Sequence, residues 1–82
     1  MSDNTSTSTV DTTEVLLEIW QKLFRDQQVG LEDDFFELGG HSLLATRVIS
    51  QVRAALGKRV RFKDIMECRT IARLSARIDE ER

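Results

Sequence analysis

Cysteine and histidine each occur once in the 82 residues, as Cys68 and His41. A single cysteine excludes an internal disulfide and predicts a reducing, cytoplasmic setting. A structural zinc site needs about four nitrogen or sulfur ligands, and one histidine and one cysteine far apart in the sequence do not supply them. The composition therefore predicts neither a disulfide scaffold nor a metal centre.

Long apolar runs are also missing. No stretch approaches the roughly 18 apolar residues of a membrane span, and the polar start MSDNTSTSTV lacks the positive segment and apolar core of a secretory signal. Residues 1–10 are mostly Ser, Thr, Asp and Asn, which predicts a disordered tail or a linker. The remainder, residues 11–82, has the length of one small domain.

Charge of one sign is not in large excess, because 12 Lys and Arg stand against 14 Asp and Glu. Along the chain the charges separate, with eight acidic and two basic residues in 11–41, but seven basic and two acidic residues in 47–69. The basic run KRVRFK at 58–63 leaves a helical interaction or nucleic-acid module as a distant alternative. Such a short run is more often a solvated turn, so we expect no nucleic-acid partner.

Apolar residues recur at helical spacing in several segments. The predicted elements are helices over about residues 12–24 and 42–56, a helical turn or two around residues 62–66, and a last helix after Thr70. Asp11 and Glu14 resemble a capping box, Gly57 suits a helix end, and Thr70 is a natural N-cap. With no hairpin signal, the predicted fold class is all-α, a small four-helix bundle with three long helices and one short one.

The connection between the first two helices, residues 25–41, is long for a compact domain. A structureless segment of this length is uncommon unless it is functional or held down by its own side chains. Five apolar residues are predicted to hold it: Val29, Leu31, Phe35, Phe36 and Leu38.

The stretch ELGGHSLL, residues 37–44, places a serine at the start of the second helix. A serine there is commonly only an N-cap, and Gly39 and Gly40 are commonly loop residues with positive φ. His41, as the immediate neighbour, is badly placed to take the Ser42 proton with a carboxylate behind it. Leu44 also stands where a G-x-S-x-G nucleophile elbow has its last glycine. We therefore expect no autonomous catalysis.

One chemical role suits this position well. The N–H groups and the positive dipole end at a helix N-terminus stabilise a phosphate carried by Ser42. Gly39 and Gly40, which have no side chains, let another macromolecule approach the backbone beside the hydroxyl. The hypothesis is that Ser42 is the substrate of another enzyme.

The segment DDFFELGGHSLLATRVISQVR, residues 33–53, resembles the core motif of peptidyl carrier proteins, the thiolation domains of nonribosomal peptide synthetases. TIARLSARI, residues 70–78, is similar to their last helix, and the resemblance extends over about residues 12–79. One departure is visible: family members commonly have a proline just before the last helix, where this chain has Arg69. That departure leaves the start of the last helix less well defined.

The resemblance implies an acyl-carrier-protein-like bundle that carries covalent 4′-phosphopantetheine on Ser42, with Gly40 and His41 beside it. A phosphopantetheinyl transferase would attach the group from coenzyme A. An adenylation enzyme would load an aminoacyl, aryl or peptidyl group as a thioester, and condensation, tailoring or thioesterase enzymes would receive it. The tethered arm raises the effective concentration of the cargo, and the carrier is expected to be a monomer. The cargo, and whether the carrier is free-standing or part of a larger synthetase, stay open.

The nearest alternative is an acyl carrier protein of polyketide or fatty acid synthesis. Such proteins usually have Asp before the modified serine and a strongly acidic surface. Here His41 precedes Ser42, and the second helix carries Arg47 and Arg53. These differences favour the peptidyl type, although charge informs association and not fold.

A helical wheel of the second helix predicts which residues meet partners. The predicted core stripe consists of Leu44, Ala45, Val48, Ile49, Val52, Ala55 and Leu56. Leu43 falls roughly 170° from the centre of that stripe, with Arg47 on the same outer face. We expect Leu43 to be an exposed docking residue beside Ser42. The family resemblance suggests Met66, on the short third helix, as a second contact.

Overall fold

The computed structural model describes residues 11–80, which form four α-helices and no β-strand. The helices are α1 (Thr12–Leu23), α2 (Ser42–Leu56), α3 (Phe62–Cys68) and α4 (Ile71–Glu80). The predicted all-α bundle of three long helices and one short helix is confirmed. The tail predicted over residues 1–10 lies outside the described residues.

The helix ends follow the local signals, with one difference. Asp11 is the N-cap of α1, but its carboxylate accepts the backbone N–H of Thr13 at 3.0 Å, where a capping box would use the N–H of Glu14. Gly57 ends α2 in the left-handed conformation with φ 68°. Thr70 Oγ1 accepts the backbone N–H of Arg73 at 3.2 Å, which confirms it as the cap of α4.

The core lies where α1 packs against α2 and α4, and α3 packs against α2 and α4. Its largest fully buried side chains are Trp20, Phe35, Leu16, Ile65, Ile71, Leu74, Val48 and Val52. The predicted stripe of α2 is buried or half-buried except at Ala55, which is exposed. Ala55 lies near the edge of the stripe in the last turn, where the chain leaves through Gly57, so that assignment was wrong.

An aromatic cluster joins the long connection to the core. Phe35 is fully buried, and its ring centroid lies 5.1 Å from that of Trp20 and 5.5 Å from that of Phe24, both edge-on. Phe36 packs edge-on against Phe35 at 5.2 Å. Aromatic pairs of this geometry stabilise by about 0.5–1.5 kcal/mol beyond the area they bury. Phe35 therefore anchors the connection, as predicted.

The other predicted apolar anchors differ in their outcome. Val29 is buried, and Leu38 is half-buried against the core, as predicted. Leu31 is 41% exposed, so its predicted role as an apolar anchor is wrong. The backbone of Leu31 makes the attachment instead, because its carbonyl accepts the N–H of Ala72 at 3.1 Å.

Two glutamines also hold the connection, which the apolar pattern did not indicate. Gln21 Oε1 accepts the backbone N–H of Val29 at 3.1 Å, and Gln21 Nε2 donates to the carbonyl of Gln27 at 2.7 Å. Gln27 Nε2 in turn donates to the carbonyl of Leu38. These bonds satisfy backbone groups that a structureless segment would leave to water.

Candidate functional site

Ser42 is the first helical residue of α2, and it is exposed. The N-cap is His41, whose backbone is extended and whose side chain makes no capping bond. The N-cap interpretation of Ser42 is therefore wrong, because the chain enters the helix one residue earlier. Among residues 11–80, no group forms a hydrogen bond with the Ser42 hydroxyl. The hydroxyl has no structural task there and is open to chemistry.

The N-terminus of α2 is electropositive around this hydroxyl. The first intrahelical bond runs from the N–H of Ala45 to the carbonyl of His41 at 2.8 Å. The preceding N–H groups, those of Ser42, Leu43 and Leu44, have no partner within the described part of the chain. No acidic residue lies in the first turn. Free N–H groups and the helix dipole favour an anion on Ser42, so the residues present fit a phosphodiester.

The two glycines before Ser42 serve different purposes. Gly39 has φ 107°, as predicted for a loop glycine. Gly40 has no positive φ, so that part of the prediction is wrong. Gly40 donates its N–H to the carbonyl of Phe35 at 2.9 Å, and a Cβ on Gly40 would lie 2.6 Å from the same oxygen and inside the Phe35 ring. Close packing against Phe35 therefore demands glycine at position 40.

Asp34 organises the turn that leads to these glycines. One carboxylate oxygen accepts the N–H of Phe36 at 2.8 Å and of Glu37 at 3.3 Å. The other accepts Arg69 Nε at 2.6 Å. The hydrogen bond from Arg69, followed by those from the two backbone N–H groups, lowers the pKa of Asp34 against a smaller effect of burial. Asp34 is therefore a charged hub between the connection and Arg69.

Arg69 has a role that the sequence did not indicate. In the sequence it is notable only for standing where the family commonly has proline, 35 positions away from Asp34. In the structure it is the C-cap of α3, in the left-handed conformation with φ 68°. No local pattern links residues so distant in the chain, so only the tertiary structure reveals the pair.

The predicted docking residues lie at the surface. Leu43 is 59% exposed, which confirms the helical phase, and Arg47 is exposed one turn further along α2. Met66 is 50% exposed on α3, and Phe62, one turn before it, is 38% exposed. The exposure of Phe62 was not predicted. The docking role of these side chains stays a prediction.

The remaining chemistry-bearing groups form no second site. Burial raises the pKa of Cys68, which keeps the thiol protonated and a packing residue. Within residues 11–80, no group of His, Cys, Asp and Glu side chains is arranged to hold a metal. None of the four helices has both the length and the apolar character that crossing a bilayer requires.

Residues 14–78 match the family model described as phosphopantetheine attachment site. A linear gramicidin synthase of Brevibacillus parabrevis is 53% identical over 64 residues, which are 77% of this chain and 1% of that protein. Tyrocidine synthase 3 of the same organism is 48% identical over 60 residues, or 73% of this chain and 1% of that protein. The chain thus spans about 1% of the length of these curated relatives.

Among solved structures, the chain is similar to a peptidyl carrier protein in complex with the phosphopantetheine transferase Sfp and coenzyme A. The TM-score is 0.80 at 29% identity, over 89% of this chain and 95% of that one. A structure described as a nonribosomal peptidyl carrier domain matches with a TM-score of 0.72 at 26% identity, over 83% and 87% of the two chains. The chain belongs to the phosphopantetheine attachment site family, as a carrier of the peptidyl type with covalent 4′-phosphopantetheine as its cofactor.

Proposed function

We propose that Ser42 carries the 4′-phosphopantetheine and that this chain shuttles an aminoacyl, aryl or peptidyl thioester between enzymes of nonribosomal peptide synthesis. The observation that carries the proposal is the exposed Ser42 hydroxyl, which has no protein partner among the described residues and lies at the electropositive start of α2. It also lies inside the segment that matches the family. The matched relatives in nonribosomal peptide synthesis favour this function over that of an acyl carrier of polyketide or fatty acid synthesis.

In this proposal the chain supplies the nucleophile and the seat for the product. Ser42 Oγ attacks the pyrophosphate of coenzyme A at the phosphorus that bears pantetheine, and the adenosine bisphosphate leaves. No carboxylate or imidazole within residues 11–80 hydrogen-bonds Ser42 Oγ, so we assign the base that takes its proton to the transferase. The unpaired N–H groups at the start of α2 then face the new phosphodiester. The terminal thiol of the attached group holds the cargo as a thioester.

The neighbours of Ser42 receive graded roles in the proposal. His41 is exposed next to the attachment point, and Gly40 fixes the backbone there, so both belong to the site. Leu43 is proposed as the apolar anchor for the transferase and the adenylation enzyme, with Met66 and Arg47 as further contacts. Condensation, tailoring or thioesterase enzymes are the proposed later partners. A small exposed apolar anchor beside the arm is suited to brief, repeated docking.

The test is attachment itself. Incubation with coenzyme A, Mg²⁺ and a broad-specificity transferase should add the phosphopantetheine mass to the wild-type protein and to Ser50→Ala, an exposed serine two turns along α2. Ser42→Ala should gain nothing. Because Ser42 is not the N-cap, its replacement should change the free energy of unfolding by less than about 0.5 kcal/mol, not the roughly 1 kcal/mol of a lost cap. An unmodified wild type beside a modified control carrier would refute the assignment.

We further propose that the carrier is a cytoplasmic monomer. The single, buried cysteine supports a reducing compartment, and light scattering of the purified holo-protein tests the monomer. The distant alternative of a nucleic-acid module depends on the basic run at 58–63. Tight, salt-dependent binding of nucleic acid by the unmodified protein, with no attachment at Ser42, would support that alternative instead.

A further inference from the structure

Arg69 holds an unusual backbone conformation. It is the one residue other than glycine with positive φ among residues 11–80. A side chain with a Cβ is disfavoured there, and such a conformation persists only where the surroundings hold it in place. The contacts of Arg69 show what holds it.

Three contacts join Arg69 to three consecutive residues of the long connection. Its Nε donates to the carboxylate of Asp34 at 2.6 Å, its carbonyl accepts the N–H of Phe35 at 2.7 Å, and its guanidinium lies 5.1 Å from the ring centre of Phe36. The first is a charge-assisted hydrogen bond and the third a cation–π contact. The junction between α3 and α4 is thereby fastened to residues 34–36.

The fastened segment leads directly to the attachment site. The carbonyl of Phe35 accepts the N–H of Gly40, and the Phe35 ring fills the space where a Cβ of Gly40 would lie. Gly40 is followed by His41, the N-cap of α2, and then by Ser42. A short chain of contacts therefore runs from Arg69 through Phe35 and Gly40 to Ser42.

We propose that Arg69 is a positioning residue for the modification of Ser42: it holds residues 34–40 in one conformation and so presents the hydroxyl already ordered to the transferase. The inference rests on the proposed function and adds a residue to it. A carrier whose competent conformation is only a fraction of its population binds with an affinity reduced by that fraction. Loss of Arg69 should therefore raise KM and leave kcat nearly unchanged.

The decisive variant is Arg69→Gly. Glycine adopts the left-handed conformation freely, so the substitution removes the side-chain contacts without new backbone strain. The KM of the transferase for this variant should rise about three- to tenfold, with kcat within about twofold of wild type. Hydrogen exchange should become faster at the amides of residues 35–40 and stay unchanged in α1. Arg73→Ala, an exposed arginine on the adjacent helix, is the matched control and should behave as wild type.

A second variant keeps the test decisive if Arg69→Gly folds poorly. Asp34→Asn retains an oxygen for the N–H groups of Phe36 and Glu37 but loses the charge that Arg69 meets. It should raise KM in the same direction, and the double variant should add little beyond the larger single effect, because both act on one interaction.

Two results would overturn the positioning role. One is a wild-type KM and unchanged exchange at residues 35–40 in both variants. The other is exchange that rises equally in α1, since the loss would then reflect general destabilisation. Failure of the wild-type protein to become modified is a separate outcome, because it removes the proposed function and the positioning role with it. Modified wild type with unaffected variants removes the positioning role alone.

Discussion

Helices α1 and α4 bury or half-bury their large apolar side chains, whereas α2 and α3 leave several at the surface. The large hydrophobic residues that are exposed in the described chain are Leu31, Leu43, Phe62 and Met66. None lies on α1 or α4, which are joined at their polar edges by bonds from Thr12 to Asp79 at 2.7 Å and from Thr13 to Ser75 at 3.1 Å. The first pair of helices is built for stability, and the second pair, which carries Ser42, presents apolar surface.

Charge separates the same two regions. Between His41 and residue 63 the chain has six basic residues and no acidic residue. Arg47 and Arg53, on α2, form no ion pair with any residue in 11–80. On α4, by contrast, Arg77 bridges Asp64 and Glu67 at 3.0 and 2.8 Å. Unpaired charge around an exposed apolar residue is typical of a surface that meets partners, since charge steers encounter and the apolar anchor supplies affinity.

The largest effect is expected from emptying the core beneath the site. Phe35→Ala should lower the free energy of unfolding by about 3–5 kcal/mol, because a fully buried ring is lost from an aromatic cluster. Phe62→Ala, which truncates an exposed ring, should change it by less than about 0.5 kcal/mol. Urea unfolding followed by circular dichroism measures both. Equal losses for the two rings would contradict the division into scaffold and surface.

A smaller loss is expected at Gly40. Gly40→Ala forces a methyl group onto the carbonyl and ring of Phe35, which should cost about 1–3 kcal/mol by overpacking and also slow the modification of Ser42. Gly57→Ala is the control, because its strain arises only from the left-handed φ at the far end of α2. It should cost about 1–2 kcal/mol and leave the modification rate unchanged. A slow Gly57→Ala would show that general stability, and not the seat of Ser42, limits the reaction.

The smallest effect on stability is expected on the outer face of α2. Leu43→Glu should leave the melting temperature nearly unchanged and weaken modification by about fivefold or more, as for an interface residue worth over 1 kcal/mol. Ala54→Glu places the same charge on the same face about 16 Å further along the helix and should alter neither. A fall in stability of the size seen for core leucines, about 2–5 kcal/mol, would show that Leu43 is buried. Unchanged stability and unchanged transfer rates together would refute the docking role.

Local signals were sufficient for the helices and for the outer face of α2. Apolar spacing at 100° per residue located the buried side and left Leu43 outside, and Gly57 and Thr70 act at the termini where their chemistry places them. The same signals brought Ser42 to a helix N-terminus. They misplaced the cap itself by one residue, since the cap of α2 is His41, because boundaries depend on the backbone that leads into the helix.

Contacts between distant segments decided the rest. The need for glycine at position 40 comes from the Phe35 ring, and the left-handed Arg69 is held by Asp34 from a distant part of the sequence. The exposure of Leu31 likewise accompanies a backbone bond to Ala72 that no periodicity encodes. Periodic patterns report which face of one element is apolar, but they carry no information on which distant residue will lie against it. The serine and its helix were therefore legible in the chain, whereas the support beneath them exists only once the chain has folded.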